Sequence, residues 1–199
     1  MTQEGTVRAH RERFWREHGF GRGGGYDDPW ATASFGGIPY TVPNSKRRAE
    51  ALRVHDLHHL VTGYGTDWTG ESEIAAWELG SGGAGRYPYA WLIAVFGFVI
   101  GVLALPLRTL RAFALGRRSR NLYRAPTIEP ILDLQLLRVR RRLLPAHPDG
   151  VRLSDLPRFV ALSLLAVPVG LALLATTPAL VLLSAARTGC PCRARLSAG

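Results

Sequence analysis

The chain has 199 residues and a formal net charge of +10. That length holds one domain with a proper core, and no more than two. The basic side chains are 24 Arg and the single Lys46, with no aromatic platform or nucleic-acid motif among them. A nucleic-acid partner is therefore set aside in favour of anionic lipid headgroups. The charge is unevenly placed. Residues 1–86 carry 10 basic and 11 acidic side chains, residues 108–158 carry 12 Arg against 4 acids, and the tail from Arg187 has 3 Arg and no acid. The basic excess thus lies beside the apolar segments.

Residues 1–44 read as an N-terminal helix followed by a Gly/Pro-rich linker. The N-terminus is charged and lacks an apolar core, so no signal peptide is expected. Val7, Phe14 and Trp15 suggest a short amphipathic helix within residues 1–19. The run Gly23-Gly24-Gly25 lacks the Lys-Ser/Thr ending of a phosphate loop and reads as flexible linker. Residues 26–43 hold three Pro and read as extended chain draped over the helices, not as a sheet.

Residues 45–86 predict a helical hairpin. Pro43 and Asn44-Ser45 make a helix start, residues 46–62 contain no Gly or Pro, and Gly63 supplies the stop. At about 100° per residue, with Leu52 at zero, His55 falls near 300°, His59 near 340° and Asp56 near 40°. These three share one face, and His58 points elsewhere. The turn 63–67 reverses the chain, and Thr66, Asp67 or Thr69 can cap a second helix over 70–79. Glu71 lies in its first turn, where a carboxylate is favoured. The hairpin can return Glu71 to the His face. His55, Asp56, His59 and Glu71 are then the expected ligands of one divalent metal, zinc or iron, with an open position. Glu78, seven residues on, reads as a solvated surface carboxylate, and His58 as a packing or outer histidine.

Two other metal classes fit less well. The word His55-x-x-His58-His59 matches one box of a di-iron desaturase, but those enzymes need about eight His in several boxes, and this chain has six. A zinc protease places a general-base Glu where this chain has Asp56. A metallohydrolase of another kind stays open.

Residues 80–86 read as a second flexible stretch. Residues 87–107 are a 21-residue uncharged segment, either membrane-embedded or a core helix, in which Gly97 and Gly101 let another helix approach closely. Residues 108–158 are an Arg-rich helical segment. Residues 159–186 are 28 uncharged residues that predict a transmembrane helix serving as an anchor separate from the site. Residues 187–199 form a basic tail, in which Cys190 and Cys192 are poorly placed for an intrachain disulfide. The fold class expected is all-α: a helical metal-binding domain with one or two membrane-embedded helices.

The spacing His55-Asp56-x-x-His59, eleven residues, then Glu71 resembles the signature of the coenzyme Q (ubiquinone) biosynthesis protein 4 family. The surrounding words Thr62-Gly63-Tyr64-Gly65-Thr66-Asp67 and Gly70-Glu71 are similar too. The likeness runs from about residue 39 to residue 144, and includes Gly116-Arg117-Arg118 and Leu136-Leu137-Arg138-Val139-Arg140. It implies a helical protein on the cytoplasmic or matrix face of a membrane, with metal at the four motif residues. The implied activity is oxidative decarboxylation of a polyprenylated hydroxybenzoate ring. The implied partners are the prenylated aromatic substrate and other quinone-biosynthesis enzymes; membrane lipid is expected from the basic segments as well, and self-association into a homo-oligomer is left open. A non-catalytic scaffold that binds prenyl lipid and uses metal only for structure is the alternative. The resemblance and the residues together leave Arg117 and Arg118 two readings, an anion-steadying pair or a solvated positive face.

Overall fold

The computed structural model describes residues 5–19, 22–35, 38–147 and 150–188. Among the described residues the fold is all-α apart from one small hairpin. Its helices are α1 Val7–Glu17, α2 Lys46–Thr62, α3 Trp68–Gly80, α4 Pro88–Ala104, α5 Pro106–Gly116, α6 Glu129–Leu132, α7 Leu136–Leu143 and α8 Leu156–Thr188. The expected N-terminal helix is α1, capped by the Thr6 side chain accepting from the Ala9 amide at 3.3 Å. The hairpin helices also form as expected. Ser45 caps α2, Gly63 ends it in the left-handed conformation that glycine adopts at little cost, and Asp67 caps α3.

Three stretches differ from expectation. Residues 26–43 are not merely draped chain: β1 Trp30–Phe35 and β2 Ile38–Pro43 form an antiparallel pair from Trp30↔Pro43 to Phe35↔Ile38. The two glycines between the paired ends in sequence are a hairpin signal that the Pro residues obscured. The run Arg22–Gly25 is a built 3-10 turn, in which Gly23 and Gly24 take positive φ angles of 66° and 78°. The Asn44 side-chain amide donates to the carbonyls of Gly25, Tyr26 and Asp28, which ties that turn to the start of α2. The stretch 80–86 is also fixed, because Asn121 donates to the Gly83 carbonyl at 2.9 Å and Ala84 is fully buried.

The core divides into two clusters. One gathers Val7, Phe14 and Trp15 of α1, Ala51, Val54, Leu57 and Val61 of α2, Leu122 and Tyr123, and Leu136 and Val139 of α7. The other gathers Ala75 and Ala76 of α3, Phe98 and Val99 of α4, Ala112 and Phe113 of α5, and Phe159 and Ala166 of α8. The expected close helix contact at Gly97 and Gly101 occurs, and the partner is α3. A methyl on Gly97 would stand 2.9 Å from the Ala75 Cβ and 3.1 Å from the Glu71 carbonyl oxygen; one on Gly101 would stand 3.0 Å from the Ser72 Cβ. So α4 is a core helix on this face, and it ends before Pro106 rather than at residue 107.

The boundary expected at residue 158 also moves. The helix α8 starts at Leu156, and Phe159 packs against Phe98 and Phe113 with ring centroids 5.6 Å apart in both cases. A methyl on Gly170 would stand 2.6 Å from Val99, so contact with α4 continues three turns further along. The segment expected to be an anchor is therefore part of the core, because its small and aromatic residues fall on one face. The opposite face is apolar and open: Val160, Leu164, Leu165 and Val169 are exposed. Among the described residues, Leu153–Leu173 is long and apolar enough to cross a membrane, which supports a membrane-associated location. Cys190, Cys192 and nearly all of the basic tail lie outside the described residues.

Arg117 and Arg118 neither face solvent nor await an anion. Arg117 Nη1 donates to Asp155 Oδ1 at 2.6 Å, and Arg118 Nη1 donates to Asp155 Oδ2 at 3.0 Å. Asp155 is buried, and its Oδ2 also accepts from the Arg152 amide at 2.8 Å. This clamp joins the end of α5 to the start of α8.

Candidate metal centre

Helix α2 presents His55 and His59 one turn apart, and the Gly63–Asp67 turn brings the first turn of α3 back to them. His55 Nε2 lies 3.1 Å from His59 Nε2 and 3.3 Å from Glu71 Oε2, and His59 Nε2 lies 3.5 Å from Glu71 Oε1. One donor atom from each of His55, His59 and Glu71 falls within 4.8 Å of the others, a cluster able to coordinate a metal. Both imidazoles are buried, while the Glu71 side chain keeps 42% of its surface exposed. The site is thus closed behind the histidines and open beside the carboxylate. Phe14 of α1 stacks over His59, with centroids 6.1 Å apart.

The outer hydrogen bonds decide which nitrogen each histidine presents. His59 Nδ1 donates to the Tyr64 carbonyl at 3.1 Å, and a carbonyl can only accept, so Nδ1 carries the proton. His55 Nδ1 donates to Glu78 Oε1 at 2.9 Å. Both Nε2 atoms of the neutral rings are then lone pairs, aimed at each other and at a carboxylate. Lone pairs at 3.1 Å repel unless a proton or a metal cation lies among them, so the donor set fits a divalent cation. Without a metal, a proton takes that part. Burial opposes charge on His55, but the Glu78 charge and the hydrogen bonds to Glu71 and Glu78 outweigh it and raise its pKa well above the ordinary value. Burial would raise Glu71, yet in that protonated, metal-free state its contacts with the His55 and His59 Nε2 atoms hold it far below the usual carboxylate range.

Glu78 is the residue that the sequence reading misplaced. It is fully buried, not solvated. Its Oε1 accepts from His55 Nδ1, from His58 Nδ1 at 2.7 Å and from the Tyr123 hydroxyl at 2.9 Å. Burial pushes its pKa up, but the charge and hydrogen bonds of His55, with those of His58, bring it down to about 2. The His58 ring completes the set by accepting the Leu122 amide on Nε2 at 2.9 Å. His58 is therefore an outer histidine, as expected, and it orients Glu78. The usable signal for Glu78 was its heptad spacing from Glu71, which puts both carboxylates on one face of α3.

Asp56 goes elsewhere. Its Oδ2 accepts from the Tyr26 hydroxyl and from Trp15 Nε1 at 3.4 Å, and it stands outside the three-residue donor cluster. The bonds tie α1 and the turn at Tyr26 to α2. Asp56→Ala is expected to retain metal at wild-type stoichiometry while losing about 1–3 kcal/mol of stability, the cost of a charged acceptor removed from part-buried donors. Metal analysis beside a denaturant titration checks both values. Loss of metal from a folded Asp56→Ala protein would return Asp56 to the ligand set.

Comparison of the chain with protein-family models, with curated proteins and with solved structures finds no match in any of the three.

Proposed function

We propose that the chain is a membrane-associated, metal-dependent protein of ubiquinone or related prenylquinone biosynthesis, acting in oxidative decarboxylation of a polyprenylated hydroxybenzoate ring. The observation that carries this reading is the convergence of His55, His59 and Glu71 at the motif spacing, with both imidazoles turned to present lone pairs. His55, His59 and Glu71 would hold a divalent cation, zinc or iron, which would supply Lewis-acid polarisation of the ring carboxylate.

The protein's own groups do the rest. Glu78 and the Tyr64 carbonyl hold the two rings in one tautomer and one orientation. The half-exposed Glu71 side is the way in for the ring. The exposed apolar face of α8 offers a prenyl tail a surface away from water. In the reaction the bond between ring and carboxyl breaks and carbon dioxide leaves, one oxygen atom of dioxygen becomes the new ring hydroxyl, and two electrons from an external reductant, with two protons, take the other oxygen atom to water. The site then works on the cytoplasmic or matrix face, among other enzymes of the pathway.

Metal analysis of the purified full chain, beside lipid extraction and mass spectrometry, tests the reading. About one metal per chain is expected from a set of three protein ligands, together with a prenylated aromatic ring. Metal with prenyl lipid but no turnover under dioxygen would favour a scaffold over an enzyme. A folded protein without metal would overturn the reading.

A further inference from the structure

The four arginines of α7 do not act as one basic stretch. Arg140 turns inward, where its Nε donates to the Val61 carbonyl at 2.8 Å and closes the end of α2. Arg138, Arg141 and Arg142 fall three and four residues apart on the outer face, and all three are exposed. With Asp133, Leu134, Gln135 and Leu137 they line an open concavity of about 620 Å³. The single acid in that lining, Asp133, is already taken by Arg8, whose Nη2 and Nε donate to Oδ1 at 2.8 and 3.1 Å. None of the three outward guanidinium groups has an ion-pair partner among the described residues.

Position at the C-terminal end of a helix accounts for a favoured positive charge there. It does not account for three guanidinium groups gathered around one hollow, since like charges at this spacing repel. An anion in the hollow reverses that cost. Guanidinium forks match phosphate oxygens in paired hydrogen bonds, which an ammonium does less well. The Gln135 side chain, in the same lining, adds an amide donor.

We propose that the concavity formed by Arg138, Arg141, Arg142 and Gln135 is a binding site for a phosphate group, independent of the metal centre and of the activity assigned to it. The phosphate comes either from a soluble phosphate ester or from a lipid headgroup, and the two sources are separable by experiment.

The test uses the full chain in detergent. Two probes are titrated by calorimetry: inorganic pyrophosphate and a short-chain phosphatidic acid, with the matching phosphatidylcholine as blank. Three proteins are compared: wild type, R138Q/R141Q/R142Q and the charge-matched R16Q/R47Q/R86Q, which alters exposed arginines elsewhere. Wild type should bind at least one phosphate probe. The site variant should lose about tenfold or more of that affinity, as expected when charge-assisted bonds to phosphate are removed. The charge-matched variant should stay within about twofold, since screened charges at a distance contribute little. Tighter binding of phosphatidic acid than pyrophosphate assigns the headgroup source, and the reverse order assigns a soluble ester. Metal content serves as the control for folding. The proposal is overturned if neither probe binds, if the site variant binds as wild type does, or if the charge-matched variant loses as much.

Discussion

His59→Ala is expected to lower metal affinity by more than about 100-fold, beyond the 10–100-fold usual for losing an outer partner of a ligand. Its Nε2 is one of only three donors in the cluster, and its ring is fixed by the Tyr64 carbonyl on the other side. His55→Ala and Glu71→Ala should behave alike. Glu78→Gln keeps the shape of the side chain but removes the charge facing His55 Nδ1, and should fall within that 10–100-fold range. His58→Gln should lose less, because His58 reaches the centre only through Glu78. Competition against a chelator of known affinity measures the whole series. If His58→Gln loses metal as completely as His59→Ala, the division of α2 into an inner and an outer histidine face is wrong.

The second large effect is expected at Asp155. Asp155→Ala leaves the guanidinium groups of Arg117 and Arg118, whose side chains are only 20% and 14% exposed, without their shared carboxylate. Breaking a buried ion pair from one side costs about 3–5 kcal/mol, because a charge stays buried without compensation. The loss should appear in denaturant unfolding of the full chain in detergent. Adding Arg117→Met and Arg118→Met to Asp155→Ala should recover part of it, since apolar groups of similar size tolerate burial. A loss under about 1 kcal/mol would mean that the clamp behaves as a surface pair and does not hold α8 to α5.

The sequence revealed the inner part of the site because that part is local. Seventeen residues, from His55 to Glu71, contain all three donors, and helix periodicity with a glycine stop is enough to bring them together. Capping at Ser45 and Asp67 was legible for the same reason. The burial of Glu78 was not, since it depends on Tyr123, 45 residues further on, and on the Leu122 amide behind His58. Asp155 was hidden likewise: Arg117 and Arg118 read as an anion-steadying pair or a solvated face until their partner, 38 and 37 residues away, is seen beside them. The uncharged run 159–186 showed its length but not its sidedness. Only the packing of Phe159 on Phe98 and Phe113 shows that one face belongs to the protein core.

The imidazole of His55 is gripped at both nitrogens by carboxylates of a single helix, Glu71 at Nε2 and Glu78 at Nδ1. Seven residues of α-helix turn by about 700°, close to two full revolutions, so both carboxylates face the same ring. A single residue inserted or deleted between them would rotate one against the other by about 100°. Drift in chain length is therefore tolerable in the turn before α3 only so far as Glu71 still reaches the ring. Between positions 71 and 78 it is not tolerated, because even a whole-turn step would move one carboxylate about 5.4 Å along the axis, away from the ring they share. Related chains that keep this centre should show gaps on either side of α3, and none inside it.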